Sequence, residues 1–142
     1  MKFLLDTDHI SILQRQSGPE YVALSSRLAQ HQPRDFAFSV ISFHEQLLGC
    51  HTYLSRARTS TDVVRGYSML VQVLHDFARA QMLSFDAGAA AVFDSLRAQG
   101  VRLATMDLRI AAIALSGGLV LLTRNTRDFG RVPGLVIKDW TV

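Results

Sequence analysis

Five acidic residues stand where an apolar run ends or a helical pattern begins, and together they could supply the ligands of a metal site. They are Asp6, Asp8, Glu45, Asp107 and Asp128. Two carboxylates about 4 Å apart repel by roughly 4 kcal/mol at an effective dielectric constant of about 20, so a cluster of them needs a cation. Oxygen ligands without histidine or cysteine favour Mg²⁺ or Mn²⁺ over zinc. Such cations commonly serve phosphodiester hydrolysis, because they activate water and stabilise the leaving oxygen.

Taken singly, most of these acids have a simpler structural explanation. Asp8 is expected to cap the next helix or to lie in its first turn, and Glu45 completes the capping-box pattern S-x-x-E that begins at Ser42. Asp107 is an ordinary acid at a helix start, where the helix dipole favours a negative charge. Asp128 is an ordinary loop residue. Asp6 is harder to explain, because it ends a buried strand and competes with Asp8 for the same space. The hypothesis of a site therefore rests on the acids together.

Short apolar runs alternate with helical patterns along the chain. Strands are predicted over 2–6, 36–40, 82–86, 119–123 and 135–140. Helices are predicted over 10–16, 20–30, 42–55, 61–81, 86–96 and 107–118, and 124–134 is predicted as a loop. The uninterrupted run LVLLT is typical of a parallel strand covered on both faces. This alternation predicts a three-layer α/β domain, in which ligands lie at the carboxyl ends of the strands.

Size and composition predict a single domain over residues 1–142. The chain has 142 residues, of which 49% are hydrophobic, enough for a full core. Its single cysteine cannot form an internal disulfide, and no secretory signal or membrane-spanning run is visible, so we expect a cytoplasmic protein. Lys2 and Lys138 are the only lysines among the 15 basic residues. Because arginine grips phosphates in a bidentate manner, this bias and the net charge of +3 lean weakly towards a nucleic-acid partner.

Signatures of other catalytic classes are absent or incomplete. His44 and Glu45 do not extend to the zinc motif H-E-x-x-H, because position 48 is Leu48, and no G-x-S-x-G, P-loop or dinucleotide motif occurs. The start LLDTDHI also fits the D-x-D motif of haloacid-dehalogenase phosphatases. That class needs a lysine and a further acidic pair late in the chain, where only Lys138 and Asp139 remain. The phosphatase is the alternative interpretation as an enzyme.

Four segments, taken in order, resemble one known family. LLDTD, SVISFHEQLLG, MDLRIAAIAL and LLTRNTRDFGRVPGL followed by DW resemble the PIN-domain ribonucleases, and more narrowly the VapC toxins of type II toxin–antitoxin pairs. The resemblance implies a PIN-like three-layer α/β/α sandwich with a mostly parallel central sheet. It also implies a Mg²⁺- or Mn²⁺-dependent endoribonuclease that cleaves structured RNA, tRNA or rRNA, by metal-activated water attack. The implied partners are RNA, a small cognate antitoxin and a second copy of the chain, with operator DNA bound only through the antitoxin and no membrane.

The functional residues of the family can be carried over by motif. The catalytic and metal-binding acids fall on Asp6, Glu45, Asp107 and Asp128, and the supporting polar side chains fall on Thr7, Thr123 and Asn125. Asp8 stands where the family often has Asn or Ser, and it either adds a ligand or caps the helix. Four nearby arginines are candidates for gripping RNA phosphates or, equally, for surface and protein contacts: Arg109, Arg124, Arg127 and Arg131. A non-catalytic PIN-like interaction module is the alternative within this fold, but it would be expected to lack one of the acids.

Two predicted helices also carry apolar faces, over 23–28 and 42–54. Burial in the core is the simplest explanation for both. The resemblance makes them candidates for the antitoxin groove or a dimer interface.

Overall fold

Five short strands are interleaved with seven helices, and the computed structural model describes all residues from 1 to 142. The strands are β1 (Phe3–Leu5), β2 (Phe36–Ser39), β3 (Met82–Leu83), β4 (Val120–Leu122) and β5 (Ile137–Lys138). The helices are α1 (Thr7–Arg15), α2 (Pro19–Leu28), α3 (Val40–Ser55), α4 (Ser60–Ala78), α5 (Ala87–Ala98), α6 (Thr105–Gly117) and α7 (Thr126–Phe129), and a 3₁₀ turn (Pro33–Asp35) precedes β2. None of the helices combines the length and the apolar character needed to cross a membrane.

The sheet has the strand order β3-β2-β1-β4-β5, and every neighbouring pair is parallel. The central strand is β1, whose Phe3 aligns with Phe36 of β2 on one side and with Val120 of β4 on the other. All three residues of β1 are buried, as expected for a parallel strand covered on both faces. The order places the carboxyl ends of β1, β2 and β4 side by side.

Helices cover both faces of the sheet, which confirms the predicted three-layer α/β/α arrangement. Leu4 belongs to a core with α5 and α6, which contribute residues such as Leu96 and Ala111. Phe3 and Leu5 belong to a second core with residues of α1 to α4. Because side chains alternate along a strand, three consecutive residues supply both cores.

The first helix starts earlier than the predicted residue 10. Asp6 is the N-cap of α1, and its Oδ1 accepts a hydrogen bond from the Thr7 backbone N at 2.8 Å. An aspartate oxygen at this position satisfies a backbone N–H that the helix leaves free. Of the two positions expected for Asp8, the first turn of α1 is confirmed and the cap is wrong.

The start of α3 also differs from the prediction. Ser39 at the end of β2 is the N-cap, and its side chain accepts from the Ser42 backbone N at 3.1 Å. The capping box predicted from Ser42 to Glu45 is therefore wrong. Its failure leaves the Glu45 carboxylate available to another partner.

The remaining boundaries are close to the predictions, with one missed helix. The predicted loop 124–134 contains α7, which Asn125 caps by accepting from the Asp128 backbone N at 3.3 Å. Helix α6 begins before Asp107, so this acid lies in its first turn instead of opening the helix. The helix stops at Gly118 with a φ of 65°, the left-handed conformation that glycine adopts readily.

Candidate active site

The acids gather at the carboxyl ends of β1, β2 and β4. Asp6 follows β1 directly, and its backbone N donates to the Leu122 carbonyl at 2.9 Å, so it lies against the end of β4. Thr123 is the next residue of that strand. Glu45 projects from the first turns of α3, the helix that follows β2. The parallel sheet thus brings together positions more than a hundred residues apart in sequence.

Asp6 is the most buried of these acids, with an exposed fraction of 6%. Its Oδ1 accepts from the Thr7 backbone N at 2.8 Å, and its Oδ2 accepts from Thr123 Oγ1 at 2.7 Å. Burial is the largest cause that raises the pKa of Asp6, and the charge of Asp8 raises it further, to about 7. The two hydrogen bonds lower the pKa but do not offset these effects. Ionisation of Asp6 is therefore less favourable than that of a free aspartate, and a nearby cation would favour it.

Asp8 bridges α1 and the loop after β4. Its Oδ2 accepts from the Arg124 backbone N at 2.9 Å and lies 3.4 Å from Thr123 Oγ1. Its Oδ1 lies 2.7 Å from Nδ1 of His9. Asp8 thus has a structural role that neither the cap nor the ligand hypothesis anticipated.

Glu45 contacts the start of α1 through a hydroxyl group. Thr7 Oγ1 donates to Glu45 Oε1 at 2.9 Å and lies 2.8 Å from Ser42 Oγ. Burial is the main cause that raises the pKa of Glu45, and the charge of Asp107 also raises it. The bond from Thr7 acts in the opposite direction. Thr7, which the sequence predicted as a supporting residue, therefore contacts one of the site carboxylates directly.

Asp107 and Asp128 form the other side of the cluster. Burial raises the pKa of Asp107, and the charges of Asp128 and Asp8 add to that effect. Asp128 Oδ2 accepts from Asn125 Nδ2 at 3.1 Å, and Asp128 Oδ1 lies 3.8 Å from Nη1 of Arg131. Each acid of the predicted set thus lies near enough to another for their charges to interact.

The carboxylate oxygens of these acids have the chemistry that a hard cation prefers. Their present spacing does not yet form a metal site. All donors are carboxylate oxygens, which Mg²⁺ and Mn²⁺ prefer, and their mutual repulsion is what a divalent charge would relieve. No group of three or more His, Cys, Asp or Glu side chains is already arranged to hold a metal ion. Binding a cation would therefore require side-chain rearrangement at this edge of the sheet.

The four predicted arginines lie in different environments. Arg124 and Arg127 are exposed, whereas Arg131 faces Asp128. Arg109 is half-buried, with Nη1 3.7 Å from the sulfur of Met106. Only Arg124 and Arg127 therefore present side chains that are exposed and free of an acidic partner.

Three residues around the acids were not predicted from the sequence. Ser39 and Ser42 link the end of β2 to Thr7, with 3.5 Å between the two Oγ atoms. His9 contacts Asp8 from the first turn of α1. Spacing alone does not identify Ser42 and His9, because their partners Thr7 and Trp140 lie 35 and 131 positions away.

Comparison with known proteins places the chain in a family. No family model matches it, but it is 31% identical over 144 residues to the tRNA(fMet)-specific endonuclease VapC of Salmonella typhimurium, covering 99% of this chain and 98% of the relative. The chain belongs to the VapC family of ribonucleases. It is also 28% identical to Ribonuclease VapC1 of Haemophilus influenzae strain R2866, over 99% of both chains.

A solved structure supports the same assignment. The crystal structure of DNA-bound VapBC from Salmonella typhimurium matches the chain with a TM-score of 0.76 and 27% identity, over 99% of this chain and 98% of the other. The expected PIN-like fold and the expected nuclease class are thereby confirmed. The phosphatase and non-catalytic alternatives do not agree with membership of this family.

Proposed function

We propose that this VapC nuclease is an endoribonuclease toxin that cleaves structured RNA, tRNA or rRNA, with Mg²⁺ or Mn²⁺ as its cofactor. One observation carries the metal part of the proposal: burial and neighbouring carboxylates raise the pKa of Asp6, Glu45 and Asp107 together. Asp6, the most buried of them, forms no ion pair with a basic side chain, and Arg131 faces only Asp128. A cation beside such a set of acids would favour its ionised form.

The residues have separate tasks in this proposal. Asp6, Glu45, Asp107 and Asp128 hold the cation, and hydroxyl or amide groups of Thr123, Thr7 and Asn125 hold three of these carboxylates in place. When bound, the cation supplies water activation and stabilisation of the leaving oxygen. In the hydrolysis, the water oxygen would attack phosphorus in line as the water gives up a proton, the P–O3′ bond would break, and O3′ would take up a proton, which would leave 5′-phosphate and 3′-hydroxyl ends.

The substrate class rests on the relatives and on the arginines. The Salmonella typhimurium relative is named a tRNA(fMet)-specific endonuclease. In this chain the exposed Arg124 and Arg127 lie in the segment that also carries Asp128. Guanidinium groups there are suited to phosphates of a folded RNA that reaches the acids.

Cleavage of total RNA by the purified protein tests this function. We expect cleavage in Mg²⁺ or Mn²⁺, none in EDTA, and a loss of at least about 100-fold for Asp107→Asn, which removes a charge from the cation site. Sequencing of the product ends would identify the substrate and the 5′-phosphates. Equal rates for wild type and for an Asp107→Asn variant of equal thermal stability would contradict the proposal.

The proposed protein partners are an antitoxin, with operator DNA bound through it, and a second copy of the chain. The related solved structure from Salmonella typhimurium is a VapBC complex bound to DNA. In this chain a groove of about 690 Å³ between α1, α2, β2 and the end of α4 has an apolar lining that includes Leu13, Leu28, Phe36 and Phe38. Such a groove is suited to an apolar peptide segment of the antitoxin. Molar mass measured in solution, with and without the antitoxin, tests both assemblies.

A further inference from the structure

A fully buried histidine lies directly behind the acids. His9 in the first turn of α1 has no exposed surface. Its Nδ1 lies 2.7 Å from Asp8 Oδ1, and its Nε2 accepts a hydrogen bond from the Trp140 backbone N at 3.2 Å. The Asp139 carboxylate is 3.9 Å from Nε2, too far for a hydrogen bond, and it accepts instead from Thr141. Both ring nitrogens therefore have one close partner each.

These two partners define the proton position on the ring. A backbone N–H can only donate, so Nε2 must carry a lone pair to accept from Trp140. The Asp8 carboxylate can only accept, so Nδ1 must carry the proton. His9 is thus the neutral Nδ1–H tautomer, held from both sides.

The bond from Nδ1 holds one of the two oxygens of the Asp8 carboxylate. The Asp8 side chain is 31% exposed, so water competes for its oxygens. With Oδ1 held by His9, Oδ2 faces the Arg124 backbone N and lies beside Thr123 Oγ1, the group that donates to Asp6. A single imidazole therefore connects the chain after β5, through Asp8, to the loop that follows β4.

We propose that His9 is a positioning residue, which orients Asp8 toward the acid cluster and thereby strengthens the binding of a divalent cation there. This inference rests on the proposed function, because it assumes that the cluster binds a cation. The competing explanation is that His9 only fills space in the core. The two explanations differ in whether the hydrogen bond from His9 to Asp8 matters for cation binding.

Two matched substitutions separate those hydrogen bonds. In His9→Asn the amide nitrogen reaches about as far as Nδ1, so it can still donate to Asp8 but loses Trp140. In His9→Gln the amide oxygen reaches about as far as Nε2, so it can still accept from Trp140 but loses Asp8. Both variants remove the ring and leave a polar amide in the same buried place.

The test measures Mn²⁺ binding by calorimetry and thermal unfolding of the metal-free proteins. We expect His9→Gln to weaken Mn²⁺ binding by about 10-fold or more, the usual effect of removing an outer contact of a metal site, and His9→Asn to stay within about threefold of wild type. In an Asp8→Ala background, His9→Gln should cause no further loss, because the two residues act through one contact. Thermal stability is expected to fall in both variants and not to follow the order of the affinities.

The tautomer can be observed independently of any metal. Two-bond ¹⁵N–¹H spectra of the wild-type protein should place the imidazole proton on Nδ1. A proton on Nε2, or equal Mn²⁺ affinities for the Asn and Gln variants, would overturn the role of His9 while leaving the metal site intact. A wild-type protein that binds no Mn²⁺ would overturn the metal site itself, and this role with it.

Discussion

At the scale of single residues, the Asp6 carboxylate is placed where its charge is unfavourable. Its pKa is raised from the ordinary 3.8 to about 7 by burial and by the charge of Asp8. Between these two values the folded protein holds a proton on Asp6 that the unfolded chain has released. The stability that this proton provides is complete below about pH 4 and is lost as the pH rises through 7.

The variant Asp6→Asn should therefore stabilise the metal-free protein at neutral and higher pH. Asparagine keeps the size of the side chain and has no charge to bury. We expect its free energy of unfolding at pH 8 to exceed that of wild type by up to about 4 kcal/mol, and the gap to shrink as the pH falls towards 4. Denaturant unfolding in EDTA at several pH values measures this difference.

The same pair of proteins provides a control with a metal. Mn²⁺ should stabilise wild type and have a much smaller effect on Asp6→Asn, because ligand binding to the folded state adds to its stability. A stability gap that does not change between pH 4 and pH 8 would contradict the raised pKa of Asp6.

At the scale of elements, the close approach of α3 and α4 depends on Gly66. A Cβ atom added at this buried residue of α4 would clash with the Leu54 side chain of α3 and lie 3.2 Å from Tyr53 Cδ1. Gly49, in α3, is exposed and a Cβ there would meet nothing within 4 Å. Of these two glycines in helix interiors, Gly66 thus has no room for a larger side chain and Gly49 does.

Alanine substitutions at these two glycines should change stability in opposite directions. Gly49→Ala should raise the free energy of unfolding by about 0.5–1 kcal/mol, because alanine favours the helix. Gly66→Ala should lower it, because overpacking typically costs about 1–3 kcal/mol and exceeds the gain in helix propensity. Chemical denaturation measures both, and stabilisation by Gly66→Ala would show that α3 and α4 can move apart without cost.

At the scale of the whole molecule, the clustered acids and two exposed arginines lie in neighbouring segments. The carboxylates lie at the carboxyl edge of the sheet, and the exposed Arg124 and Arg127 belong to the segment that follows β4. Arg65 is also exposed but lies on α4, next to Gly66. Since Gly66 packs against the carboxyl-terminal end of α3, Arg65 lies away from the site. If the arginines of the site hold phosphates, their contribution should depend on salt and on position.

Replacement of Arg124 and Arg127 by glutamine should weaken RNA binding and reduce its salt dependence. Each lost phosphate contact lowers the slope of log K against log salt concentration by about one. Binding measured in EDTA at several salt concentrations avoids cleavage, and Arg65→Gln serves as the matched control. Equal slopes for wild type, the double variant and the control would show that Arg124 and Arg127 do not contact RNA phosphates. These arginines would then serve protein contacts or simply face the solvent.

The sequence by itself determined the local elements and the candidate acids. Apolar runs predict the strands, Asp86 caps α5 as expected, and Gly118 ends α6, because these features depend on neighbouring residues. The acids could be placed at one edge because residues that follow parallel strands share that edge. The resemblance of the motifs to the VapC ribonucleases then indicated which of these acids to combine.

Only the tertiary structure decided which groups these side chains contact. Thr7 and not a backbone N–H engages Glu45, and His9 reaches Trp140 across 131 positions. A hydrogen bond of this kind depends on the distance between elements, which is set by packing on both faces of the sheet. Local spacing carries no information about that distance, so the contacts that orient the acids could not be predicted from the sequence.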